Sequence, residues 1–294
     1  MVQRIIKTAA EHSLNLYSAA VMDTSGVHEA RLHRADACTN SYSVAKVFTM
    51  TAIGMLWDAH KLRLDDRVFD ILQEEFPQEF DARWKDVTVE HLLTHKAGLK
   101  RGFLDIDVDD ISQYPSKDFL HIVLSEPLVC KPGFLFYYSD AAFYLLSVIV
   151  SKLSGQRLDD FLRPVLFDTL GFRELAWSIC PRGYCMGATG LYLRTADLVK
   201  LGFVYANNGL YDGQCIVSPD WVQLVLQHGF EFAPYQDTSI YYKSGMYGQM
   251  LCFSPEYHTA CAWHGYERKS TKPLLEQWSI ALHEAEENEK GAKT

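Results

Sequence analysis

The chain has no Gly-x-Ser-x-Gly elbow, no Gly-rich phosphate loop, no Gly-x-Gly-x-x-Gly fingerprint and no His-Glu-x-x-His pair. Those absences exclude an α/β-hydrolase nucleophile elbow, a P-loop nucleotide site, a dinucleotide fold and a zincin. Long apolar runs are also missing, since Ser, Lys or Asp interrupts each one before it reaches membrane-spanning length. No basic stripe stands out. Net charge is −9, from 28 Lys and Arg against 37 Asp and Glu, which argues against a nucleic-acid partner and leaves no basic membrane-binding face. Taken as a native start, "MVQRIIKTAAEHSLNLYSAAVMD" lacks a signal-peptide layout, because Lys7 and Glu11 break the apolar stretch. It predicts a cytoplasmic protein. Cysteines are few, odd in number and scattered, at 38, 130, 180, 185, 215, 252 and 261. That pattern predicts reduced thiols. Cys180 and Cys185, in "CPRGYC", have neither zinc-ligand nor redox-pair spacing. No metal and no cofactor is expected, and the oligomeric state leaves no motif.

What is present is an ordinary globular composition, 48% hydrophobic and 13% aromatic over 294 residues, enough for one large domain. Residues 2–12 read as an amphipathic helix, and "LYSAAVMD" and "VHEARLHR" as strands around a turn at Thr24–Gly26. A helix apolar on nearly every side follows over about 43–59, and must be buried. "DVTVEHLLTHKAGL" reads as a helix closed by Gly98, and residues 100–130 as loops with short helices. "SDAAFYLLSVIVSKLSG" is an apolar helix ended by Gly155, and "RLDDFLRPVLFDTLGF" is helical too. "LRTADLVKLGFVYANNG" and "SPDWVQLVLQH" are helices with capping signals at Thr195 and Ser218. "TSIYYKSGMYGQMLCFSP" and "HTACAWHGY" read as strands, "KPLLEQWSIALHEA" as a closing helix and "ENEKGAKT" as a frayed tail. Strands at both ends and helices between predict an α/β part (about 1–62 and 186–294) with an all-helical insertion (about 63–185).

One residue is out of place in this pattern. Lys46 lies in the buried helix, where an ammonium is costly unless paired or used. Ser43 precedes it by three residues, so one helical turn puts both on one face. A lysine desolvated in an apolar setting and left neutral can take a serine's proton, and a helix N-terminus favours the charge that develops nearby.

Two further stretches, "KPGFLFYYSDAAFYLLSVI" and "YYKSGMYGQ", combine with "SVAK" into a pattern. It resembles the serine β-lactamase and penicillin-binding-protein superfamily, in its class C-like branch, which also holds D,D-carboxypeptidases, D-aminopeptidases and esterases. The motifs Ser-x-x-Lys, Tyr-x-Asn and Lys-Thr-Gly correspond to Ser43–Lys46, Tyr138–Ser139–Asp140 and Lys243–Ser244–Gly245. The stretches "VTVEHLLTHKAGL", "GATGLYLRTADLVKLG" and "MYGQMLCFSPEYHTACAW" extend the likeness over nearly the whole chain, in order. The resemblance implies an antiparallel sheet flanked by helices, an acyl-enzyme on Ser43, and a small amide, D-amino-acid peptide, β-lactam or ester as substrate. Lys46 would share the serine proton, and Tyr138 would complete the relay. Lys243 would place positive charge beside the phenol and attract a substrate carboxylate. Ser244 and Gly245 would lie along the substrate, and the backbone N–H groups of Ser43 and Met246 would form the oxyanion hole.

Asp140 departs from the pattern. An amide donates and accepts, whereas an ionised carboxylate only accepts, so Asp140 favours the charged form of a nearby lysine and removes one donor from the substrate. An alternative alignment puts Ser139 in the relay, as in a Ser-Asp-Asn motif. His95 reads as a packing residue, and His264 as a candidate for the pocket mouth. A carboxylesterase with little action on β-lactams, and a binding module that kept the pocket without turnover, are the rival readings.

Overall fold

The computed structural model describes residues 1–33 and 35–291. Helix α1 (Val2–Glu11) leads into strands β1 (Leu16–Asp23) and β2 (Gly26–Arg31), joined by a tight turn. A short strand β3 (Thr39–Asn40) and one 3-10 turn, Tyr42–Val44, precede the buried helix α2 (Ala45–Asp58). The middle of the chain is helical: α3 (Val68–Ile71), α4 (Val89–Leu93), α5 (Phe119–Ser125), α6 (Asp140–Ser154) and α7 (Leu158–Leu162), with 3-10 turns between. Strands β4 (Leu175–Trp177) and β5 (Leu191–Leu193) follow, then α8 (Thr195–Ala206), the ribbon β6 (Leu210–Tyr211) and β7 (Gln214–Cys215), and α9 (Pro219–His228). The chain returns through β8 (Ala233–Pro234), β9 (Tyr241–Ser244), β10 (Met250–Ser254) and β11 (Thr259–Gly265) to α10 (Lys272–Gly291).

The main sheet is antiparallel, in the order β2-β1-β11-β10-β9-β8. Its centre is thus closed by strands from opposite ends of the chain, with Ala20 facing Ala262 across β1 and β11. Both faces are covered, so β10 and β11 are buried along their whole lengths and read as continuous apolar runs rather than alternating ones. One face packs on α1 and α10 through Ile5, Leu275 and Trp278. The other packs on α8 and, beyond it, on the core built around α2 and α6. Among the described residues, no helix is long and apolar enough to cross a membrane. All seven cysteines are free thiols.

Four local expectations change. The helix before Gly98 stops at Leu93, because Thr94 leaves helical geometry and His95 takes a positive φ of 54°. Gly98 takes φ 88° beyond that end, where a Cβ would meet the Cys130 carbonyl at 2.5 Å. Thr195 is the first residue of α8 and does not cap it; its hydroxyl turns to Ser18 and His264 instead. The tail is helical through Gly291, and residues 292–294 lie outside the described residues.

Candidate active site

The nucleophile's position is set by the turn before it. Ser41 donates both its N–H and its hydroxyl to the Leu191 carbonyl, each at 2.8 Å, and the Asn40 Oδ1 accepts the Tyr42 N–H at 2.9 Å. Tyr42 then adopts φ 47°, a region that L residues occupy at a cost. Ser43 follows on the 3-10 turn, one helical turn ahead of Lys46.

The Lys46 ammonium is wholly buried. Its three N–H donors meet three acceptors: Asp140 Oδ1 at 2.7 Å, the Ala188 carbonyl at 3.1 Å and Ser43 Oγ at 3.3 Å. Burial alone would lower its pKa, but the Asp140 carboxylate, with Tyr138 and Glu231 behind it, outweighs burial and moves the pKa upward. Lys46 is therefore a cation at neutral pH. The expectation of a lysine left neutral by desolvation fails because Asp140 compensates the charge.

Tyr138 lies between the two lysines. Its ring faces Lys46 Nζ at 4.7 Å from the centroid and Lys243 Nζ at 5.1 Å, and its hydroxyl accepts from Lys243 at 3.4 Å. Ser139, the alternative relay residue, is buried and donates its hydroxyl to the Phe103 carbonyl at 3.3 Å. Lys243 is not a free cation. Its ammonium is ion-paired with Glu231, whose side chain is only 2% exposed. Glu231 also accepts from His95 Nε2 at 2.8 Å, while His95 Nδ1 accepts the Ser139 N–H at 3.3 Å. Because Nδ1 accepts, the proton of His95 is on Nε2. Burial depresses the His95 pKa despite the carboxylate, so His95 is neutral. Burial would raise the Glu231 pKa, but Lys243 and the His95 hydrogen bond hold it down at about 2.

Three carboxylates converge on the other side of Lys46. Asp105, Asp107 and Asp140 each bring an oxygen within 4.8 Å of one another, and among the described residues this is the grouping able to hold a cation. Lys46 already lies against one of them, and Asp107 accepts from the Thr189 hydroxyl. Asp105 is half-buried; desolvation first, and then Asp140 and Asp107, push its carboxyl up to about 6.

The third motif is bound to the first. A Cβ on Gly245 would stand 2.7 Å from the Ser41 carbonyl oxygen and 3.2 Å from Val44. A bare glycine thus lets β9 press against the turn that carries Ser43. Ser244, exposed, ends β9. Met246 opens a 3-10 turn in which Tyr247 has φ 56°. Gln249 fastens that turn: its carbonyl accepts the Gly245 N–H at 2.9 Å, and its side chain exchanges hydrogen bonds with the Gly265 backbone at 2.7 and 3.1 Å. Tyr247 stacks on Tyr266 and meets Tyr42 edge-on.

His264 does not line the mouth. It is buried in β11, bonded to Thr195 at 2.9 Å, with its pKa lowered by burial to about 4. Trp177 and Cys180 sit in the core, the indole donating to the Thr189 carbonyl at 3.0 Å and the thiol against Tyr144. Reading by motif missed Glu231, Asp105 and Asp107. Glu231 did leave a signal, a lone charge between two phenylalanines in "GFEFAP".

A family model described as Beta-lactamase matches residues 2–265. The chain belongs to the β-lactamase family. Relatives in this serine-hydrolase-type family carry both penicillin-binding and esterase names. Penicillin-binding protein 4 of Amycolatopsis lactamdurans is 32% identical over 183 residues, 58% of this chain and 47% of that protein. Esterase EstB of Burkholderia gladioli is 28% identical over 180 residues, 58% of this chain and 45% of that protein. The chain therefore spans less than half the length of either sequence relative. Among solved structures, a Bacillus anthracis protein provisionally described as a 6-aminohexanoate-dimer hydrolase superposes with a TM-score of 0.80 over 97% of this chain and 85% of that one. At 16% identity, that likeness shows the β-lactamase-type fold alone.

Proposed function

We propose that this member of the β-lactamase family is a serine hydrolase of the class C-like branch, acting on a small ester or amide through an acyl-enzyme on Ser43. A D-amino-acid peptide and a β-lactam fall within that class. One observation carries the reading: a fully buried ammonium donates to the Ser43 hydroxyl at 3.3 Å, under the ring of a tyrosine whose own hydroxyl meets a second ammonium at 3.4 Å. A structural lysine needs one counter-charge, and Asp140 supplies it. The third hydrogen bond, aimed at a serine on a strained turn, has no packing purpose.

The roles follow from charge. Lys46 is a cation and so does not accept the serine proton; it stabilises the oxygen as that proton leaves. The Tyr138 hydroxyl accepts the proton while passing its own to the departing alkoxide or amine, so no net charge is created. Ser43 Oγ bonds to the carbonyl carbon, the bond to the leaving group breaks, and the carbonyl oxygen collects negative charge toward the Ser43 and Met246 N–H groups. Water then repeats the exchange in reverse and frees Ser43. Asp140 keeps Lys46 charged throughout.

The test is rapid-quench intact mass spectrometry with benzylpenicillin and, separately, a short-chain activated ester, followed by peptide mapping. An adduct on Ser43 that is absent from Ser43→Ala supports the reading. Saturable binding of either reagent with no adduct and no product refutes it in favour of a binding module.

A further inference from the structure

The Lys243–Glu231 ion pair bears on which substrates the site accepts. A free ammonium at Lys243 would attract a substrate carboxylate. Glu231 removes most of that attraction: for a carboxylate about 3 Å from the ammonium and about 5 Å from Glu231, the inverse-distance law cancels roughly 60% of it. His95 does not neutralise Glu231 in turn, because it is itself neutral and donates only a hydrogen bond. The carboxylate is therefore directed at Lys243. Its placement is also specific. Glu231 sits between Phe230 and Phe232, both fully buried, and its backbone has φ 58°. A surface ion pair would need neither the burial nor the left-handed backbone. On the far side of Lys46, Asp105, Asp107 and Asp140 add further negative charge.

We propose that Glu231 is a specificity-determining residue: by holding Lys243 in a buried ion pair, it makes the site prefer acyl groups without a carboxylate. The proposal rests on the hydrolase reading above, with Lys243 facing the substrate. Glu231 touches no reacting atom and acts through Lys243. Neutral esters and neutral amides are the class it admits. The same residue in neutral form would leave Lys243 free to bind an anion.

The experiment compares two activated esters of similar length, p-nitrophenyl butyrate and mono-p-nitrophenyl succinate, at one pH and ionic strength. Wild type, Glu231→Gln and Glu231→Asp are assayed for kcat and KM. The readout is the ratio of kcat/KM for the charged ester to that for the neutral one. Because the same active molecules turn over both esters, this ratio does not depend on how much of a variant is folded. The expected wild-type ratio is well below one. Glu231→Gln should raise it tenfold or more, mainly through a lower KM for the charged ester, and added salt should erode the gain. Glu231→Asp, which keeps the charge, should stay close to wild type. A wild-type ratio above one, or a ratio unmoved in Glu231→Gln, overturns the proposal while the hydrolase reading stands. No turnover and no Ser43 adduct with either ester in wild type fails the hydrolase reading itself, and the proposal falls with it.

Discussion

Replacing Asp140 by Asn changes one oxygen for one NH2 group at nearly constant volume, and its cost can be worked from the geometry. Lys46 and Asp140 are both buried, with nitrogen and oxygen 2.7 Å apart. At an effective dielectric constant of 20, that attraction is about 6 kcal/mol. The Asn carbonyl would still accept a hydrogen bond, recovering about 1 kcal/mol. Loss of the Asp140 charge also relieves repulsion with Asp105 and Asp107. The opposing charge terms are of similar size, so the scale of the net loss is that of removing one partner from a buried pair, about 3 kcal/mol. Urea unfolding at pH 7 should show it as a lower midpoint with an unchanged slope. The same variant should acylate Ser43 more slowly in a rapid-quench burst, since a Lys46 that loses its proton more easily no longer stabilises the serine oxygen as a cation. Stability within about 0.5 kcal/mol of wild type would refute the claim that Asp140 holds Lys46 as an ammonium. A faster burst would instead show that a neutral Lys46 takes the serine proton.

Other outcomes follow from the same structure. The pKa of His264 is lowered from 6.5 to about 4, so below pH 6.5 the unfolded chain binds the extra proton first. Stability should then fall as the pH drops from 6.5 to 4, by about 3 kcal/mol. Asp105, raised to about 6, works in the opposite sense over this range, so the check is urea unfolding of His264→Gln beside wild type, with the flatter profile expected in the variant. Gly245→Ala should lower kcat/KM on an activated ester by about 100-fold, because the new methyl group meets the Ser41 carbonyl and moves β9 away from the nucleophile. Gly54→Ala should destabilise by about 1–2 kcal/mol in thermal unfolding: its Cβ would stand 2.3 Å from the buried Trp221 ring, and overpacking outweighs the helix-propensity gain of about 1 kcal/mol.

The fold was readable from the sequence where one rule dominated. α2 and α6 are apolar on almost all sides and could only be buried helices, and Gly155 ends α6 with a left-handed φ of 73°. The strands of the main sheet were readable from runs of apolar residues between turns. Helix ends were harder, since Thr195 carries a capping residue's chemistry but spends its hydroxyl on contacts 69 and 177 residues away. The site divides in the same way. Ser43, Lys46, Tyr138, Asp140 and Lys243 lie in short motifs, and the fold brings their side chains together. Glu231, Asp105 and Asp107 reach the site from loops, and nothing in their local sequence says which charge they will meet. The electrostatic balance of the pocket depends on those three. For that reason the motif alone suggested an anion-seeking Lys243 and a neutral Lys46, and the structure shows both lysines compensated.

Tyr42, His95, Glu231 and Tyr247 all have φ between 47° and 58°. They come from four separate parts of the chain and meet in two pairs, Tyr42 with Tyr247 next to Ser43 and His95 with Glu231 behind Tyr138. Each such residue costs of order 1 kcal/mol, so together they set a selective tension at this position of the fold. A population of variants screened only for heat resistance would drift toward Gly or Asn at Tyr42 and Tyr247, where the left-handed backbone is cheap, and not at His95 or Glu231, whose buried hydrogen bond and ion pair outweigh the strain. The same drift would remove the two rings that meet beside the nucleophile's turn and would leave the imidazole behind Tyr138 and the carboxylate on Lys243 in place. Selection for stability alone would therefore strip the aromatic rim of the site before it touched the charge balance behind it.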